Sequence, residues 1–103
     1  MIRSLTVIVL MASAVAAAAE IHQIIQKKRA FSEGEISLSV GDLVRFTNDD
    51  EFIHQVYVDS PTFKFDTAES EPGNNIDMKF TTRGTFEVHC HIHPKMQLIV
   101  HVE

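Results

Sequence analysis

Residues 84–96 read Gly84-Thr85-Phe86-Glu87-Val88-His89-Cys90-His91-Ile92-His93-Pro94-Lys95-Met96. Phe86, Val88 and Cys90 alternate with Glu87 and His89, the two-residue period of a strand with one buried face. The alternation pauses over the next residues and resumes at Leu98, Val100 and Val102, set against Ile99, His101 and Glu103. A strand, a short loop and a second strand are expected here. Cys90 faces inward, in phase with Phe86 and Val88.

The same period extends outward from this segment. Ile36, Leu38 and Val40 alternate with Glu35, Ser37 and Ser39 before the turn signal Gly41-Asp42. Val44 and Phe46 alternate with Arg45 and Thr47 ahead of the polar stretch Asn48-Asp49-Asp50-Glu51. His54, Val56 and Val58 then alternate with Gln55, Tyr57 and Asp59, so His54 is also expected to face inward. Asp59 to Asn75 carries Pro61, Pro72 and Gly73 and reads as a long connection, with a short strand at Thr62 to Phe65. Ile76, Met78 and Phe80 restore the alternation until Arg83-Gly84 breaks it. No useful helical period survives beyond the first nineteen residues. Six to eight short strands with regular turn signals predict an all-β fold, a small two-sheet β-sandwich.

The first nineteen residues have a different character. Arg3, the apolar run Leu5 to Val15 and the small residues Ala17-Ala18-Ala19 form the pattern of a cleavable export signal. The run is shorter than the roughly 20 apolar residues that span a bilayer, so no stable membrane insertion is expected. Residues 1–19 are therefore expected to be removed, leaving one domain at 20–103 in a periplasmic or secreted setting. Cleavage would remove one basic residue, Arg3, and no acid, moving the net charge from −5 to −6. So acidic a domain is a poor match for the phosphate backbone, and no nucleic-acid partner is expected. A chain of this size buries only about 60–65% of its unfolded surface, so a bound metal would stabilise it noticeably. The chain has one cysteine and so forms no internal disulfide. In an exported protein such a thiol calls for burial, reactivity or a metal.

A metal accounts for the rest of the motif. Cys90, His93 and Met96 stand at C-x-x-H-x-x-M spacing, and His54 faces inward from another strand. One thiolate, two imidazoles and one thioether suit a trigonal copper site with a weak axial sulfur. Soft sulfur favours Cu(I) and imidazole favours Cu(II). A compromise between them changes little when an electron arrives or leaves. Cys and two His would also suit zinc.

On these residues the chain resembles the cupredoxin family, with amicyanin nearest in loop length and plastocyanin and pseudoazurin as further relatives. The resemblance runs through Ser39-Val40-Gly41-Asp42, Val44 to Asp50, His54, Gly84 to Cys90 and His93-Pro94-Lys95-Met96. It implies a Greek-key sandwich in which His54, Cys90, His93 and Met96 bind one type 1 copper. It further implies single-electron transfer rather than enzymatic turnover. The family usually places Asn directly after the first ligand His, to fasten the ligand loop, whereas this chain has Gln55.

The residues themselves leave alternatives. His91 competes with His93 as ligand, and Met96 could simply pack. His89-Cys90-His91 is also similar to multicopper oxidases, so an oligomeric reductase or oxidase with a second copper at His89 or His91 is one rival function. A copper carrier without redox turnover is another. The expected partners are redox proteins, a basic cytochrome or a dehydrogenase, steered by Asp49-Asp50-Glu51. The chain itself is expected to be a monomer.

Overall fold

The structure is a computed structural model that describes residues 3–9 and 18–103. Met1, Ile2 and residues 10–17, and with them most of the expected export signal, lie outside the described residues.

Nine strands follow one another among the described residues: β1 (Ile21–Lys27), β2 (Ala30–Phe31), β3 (Glu35–Leu38), β4 (Leu43–Asn48), β5 (Val56–Asp59), β6 (Lys64–Asp66), β7 (Asn75–Lys79), β8 (Gly84–Cys90) and β9 (Gln97–Val102). They form a four-stranded sheet in the order β2-β1-β4-β7 and a five-stranded sheet in the order β3-β9-β8-β5-β6. Both sheets are mixed, because β1 runs parallel to β4 and β3 parallel to β9. The chain changes sheet between β2 and β3, β3 and β4, β4 and β5, β6 and β7, and β7 and β8. This is the expected Greek-key sandwich.

The core follows from the period of two. Val44 and Phe46 of β4, Phe86 and Val88 of β8, and Leu98, Val100 and Val102 of β9 are all buried. Ile24, Val56, Val58, Met78 and Phe80 join them between the sheets. Phe80 and Phe86 both pack on Phe63, with ring centroids 5.3 Å from it in each case. Across β4 and β7, Arg45 stands opposite Asp77 and donates to both carboxylate oxygens, at 2.8 and 3.1 Å.

Several details differ from the sequence expectation. Val40 alternates in phase with Ile36 and Leu38 but is 45% exposed. β3 stops at Leu38, and the chain turns at Gly41, whose φ of +94° suits a residue without Cβ and whose N–H bonds Phe80 O at 2.7 Å. The short middle strand begins at Lys64 rather than Thr62. His54 lies just before β5, held by an isolated antiparallel bridge to Ser70.

β1 and β2 add a hairpin that sequence patterning did not reveal. Its loop is two residues, Lys28 and Arg29, with φ of 53° and 56°. Two consecutive positive φ values between paired strands define a type I′ turn, normally made by Asn-Gly or similar pairs. Here Asp50 compensates by accepting the N–H of Lys28 at 3.1 Å and of Arg29 at 2.8 Å. At the opposite end of β4, Asp42 plays a similar part for the backbone. It accepts N–H from Glu20 at 3.0 Å and Ser39 at 2.9 Å and bonds the His22 ring at 3.1 Å. These bonds, the one from Glu20 foremost, hold the Asp42 carboxyl below its ordinary range.

Candidate metal centre

His54 and the neighbouring pair Cys90 and His93, more than 35 residues further along the chain, converge at the end of the sandwich near the β1–β2 turn. Cys90 ends β8 and lies directly across from Val56 of β5. Its Sγ is 3.5 Å from His54 Nδ1. His93, in the loop after β8, brings its own Nδ1 to 3.3 Å from the same His54 atom. One donor atom from each of the three lies within 4.8 Å of the others. His54 is fully buried, Cys90 is 1% exposed, and His93 is half-buried.

The protonation pattern follows from the surroundings. His54 Nε2 lies 3.0 Å from Asp50 Oδ2, and an ionised carboxylate only accepts. Nε2 therefore carries a proton, which leaves Nδ1 as the ring nitrogen that can offer a lone pair to a metal on the side of Cys90 and His93. Carboxylate–imidazole pairing of this kind fixes the tautomer and ring orientation of metal-binding histidines. Burial by itself would raise the Asp50 carboxyl, but the Arg29 N–H, the His54 ring and the Lys28 N–H together outweigh it and hold it lowered. Burial also depresses His93, helped by His54 and Arg29. An imidazole that resists protonation keeps its lone pair free. Two imidazole nitrogens and a thiol whose proton a metal would displace fit a thiophilic cation. The donor set therefore matches the metal that the sequence motif implies.

The other motif residues are placed as follows. Met96 is 2% exposed at the end of the loop, and its N–H bonds His93 O at 3.0 Å. His91 turns away from the cluster, stacking on Tyr57 at 3.8 Å and 14° and bonding Asp66 at 3.3 Å. His89 points outward from β8 onto Glu87 at 3.1 Å. Neither belongs to a group of three His, Cys, Asp or Glu donors among the described residues, although Glu20, His22 and Asp42 form one elsewhere.

Sequence reading missed the supports. Asn48 is fully buried and donates to Phe52 O and Ser70 O, both at 2.8 Å, while accepting Asp50 N–H at 3.0 Å. It ties together the ends of the segment that carries His54. Gln55 fastens elsewhere, donating to Thr67 O at 3.0 Å. The acidic run is also changed by folding. Asp50 is turned inward with its side chain 7% exposed, and Asp49 pairs with Lys27 at 3.6 Å. An inward-pointing acid four residues before His54 was the available signal for Asp50, but the polar stretch reads equally well as a solvated turn.

Neither a family model nor a curated protein matches the sequence. Solved structures do match. A purple cupredoxin from Nitrosopumilus maritimus is 23% identical with a TM-score of 0.70, covering 80% of this chain and 99% of that one. A copper-containing nitrite reductase from Thermus scotoductus SA-01 is 24% identical with a TM-score of 0.71. That match covers 93% of this chain but 25% of the reductase. These two likenesses establish the fold. A reduced amicyanin variant reaches 26% identity and a TM-score of 0.73 over 87% of both chains. With a likeness spread over nearly the whole sandwich, the amicyanin structures support assigning this chain to the cupredoxins.

Proposed function

We propose that the chain is a single-electron carrier in which His54, Cys90, His93 and Met96 hold one type 1 copper. The observation that carries the reading is the convergence of His54 Nδ1, His93 Nδ1 and Cys90 Sγ on one point at the end of a cupredoxin sandwich. Bound copper supplies a one-electron Cu(I)/Cu(II) couple. The chain does the rest. Asp50 keeps the proton of His54 on Nε2, so the metal-facing nitrogen is always available. β8 and the Asn48 ties hold Cys90 and His54 on rigid backbone, which limits their movement when the charge of the site changes. Phe52, Ile53 and Ile92, each about 40% exposed, border His93 with an apolar margin suited to brief contact. His93 is then the route by which the electron leaves.

Residues 1–19 act as an export signal on this reading, delivering residues 20–103 to the periplasm or the exterior as a monomer that meets redox proteins. Among the described residues, no helix is long and apolar enough to cross a membrane.

Loading the protein with Cu(II) and recording absorption and electron paramagnetic resonance spectra tests the proposal. An intense visible thiolate band at one copper per chain, lost in Cys90→Ser, is expected. A colourless loaded protein, or equal copper uptake with the thiol blocked, would refute it.

A further inference from the structure

The surface around His93 has a charge opposite to that of the chain as a whole. The net charge is −5, yet a shallow groove beside His93 is lined by Arg29, Ile92, His93, Pro94 and Lys95. The Arg29 guanidinium sits 4.4 Å over the Phe52 ring, and Phe52 in turn meets the His93 ring edge-on at 5.7 Å. Lys28 is exposed on the same turn as Arg29, and Lys95 on the ligand loop. The Lys and Arg ion pairs among the described residues involve Lys27, Arg45 and Lys64, so Lys28, Arg29 and Lys95 keep their charge free.

Two of the three acids in the 49–51 run are already engaged. Asp50 is buried against the turn and His54, and Asp49 is engaged by Lys27. Glu51 alone of that run is exposed and outside any ion pair among the described residues. The result is an apolar spot of Phe52, Ile53 and Ile92 rimmed by three cations. Cation–π contact fixes one of these cations in place instead of leaving it to swing in solvent.

We infer that this face docks a redox protein whose own contact surface is apolar with an acidic rim, and that Arg29 and Lys95 choose that partner. The inference rests on the electron-carrier reading and reverses the charge expected from Asp49-Asp50-Glu51 alone. A cluster of cations at the His93 end of a chain with net charge −5 makes the charge uneven, and that asymmetry favours approach to an acidic partner with the His93 end forward.

The test uses the copper(I)-loaded full chain, labelled with 15N and titrated at low ionic strength. The probes are an acidic plant-type ferredoxin, a basic mitochondrial-type cytochrome c, and phosphatidylserine/phosphatidylcholine vesicles. Shifts at residues 28–29, 52–53 and 92–95 with the ferredoxin are expected, weakening as salt rises. Arg29→Glu and Lys95→Glu should each loosen ferredoxin binding several-fold, and together by about tenfold or more. Lys95→Glu serves alone should the turn reject Glu at position 29. The inference is overturned by tighter binding of cytochrome c at the same residues, by unchanged ferredoxin affinity in the folded charge-reversed variants, or by vesicles binding this face while the ferredoxin does not. The visible spectrum of the loaded chain, recorded first, shows separately whether the copper reading stands.

Discussion

Asp50→Ala removes one carboxylate that accepts from three places: Lys28 N–H at 3.1 Å, Arg29 N–H at 2.8 Å and the His54 ring at 3.0 Å. The two backbone donors sit on an exposed turn and recover water, so each loss costs at most about 1 kcal/mol. The ring of His54 is fully buried, and its stranded Nε2–H costs about 1–3 kcal/mol. The expected loss in the metal-free domain is therefore about 3 kcal/mol, a fall in Tm of roughly 12–24 °C for a domain of this size. Asp50→Asn separates the two roles of the carboxylate. Its amide oxygen can still serve the turn, so stability falls much less. When that oxygen serves the turn, its NH2 group faces His54 and favours the proton on Nδ1, where the ligand lone pair is needed. Copper affinity should then drop about 10–100-fold, the usual effect of losing such a partner. Thermal unfolding by circular dichroism and Cu(I) competition against a chelator measure the two effects. Wild-type copper affinity in Asp50→Asn, together with a Tm drop under about 3 °C in Asp50→Ala, would refute the assignment.

Met96→Leu should keep the visible band and raise the reduction potential, since a weak axial donor is lost; cyclic voltammetry of the two loaded proteins decides it, and equal potentials would remove Met96 from the ligand set. Asp42, Asp50 and Asp77 all have carboxyls held below the ordinary value, the last chiefly by Arg45. Folding favours their ionised forms, so the stability they add is present above about pH 4 and disappears as pH falls through their folded values. Urea midpoints measured from pH 6 down to pH 2 should decline mainly below about pH 4, and a flat profile there would contradict the three pairings. Phe80→Ala opens a cavity between the sheets at a fully buried position beside Phe63 and Phe86 and should cost about 3–5 kcal/mol, read as a shift in the urea midpoint.

What could be read beforehand was whatever depends on phase. Phe86, Val88 and Cys90 share a face because strand geometry leaves no other choice, and His54 falls in with Val56 and Val58 for the same reason. What could not be read depends on partners far along the chain. β1 hides its identity by burying Gln26 while leaving Ile21 52% and Ile25 36% exposed, and its parallel pairing with β4 comes from no local turn. The role of Asp50 is equally remote, because the turn it supports lies 21 residues away. Sequence spacing left His91 and His93 as competing ligands; in the folded chain His91 is occupied by Tyr57 and Asp66 while His93 faces His54.

The β1–β2 turn shows what the molecule gives up. Left-handed backbone at a residue with a side chain costs about 1–2 kcal/mol, and Lys28 and Arg29 both adopt it. An Asn-Gly pair would relax that bend and make a sturdier scaffold, with no guanidinium left above the ring of Phe52. If Arg29 selects a partner as inferred, this corner trades durability for recognition, and engineering for heat resistance that begins there would erase that contact surface first.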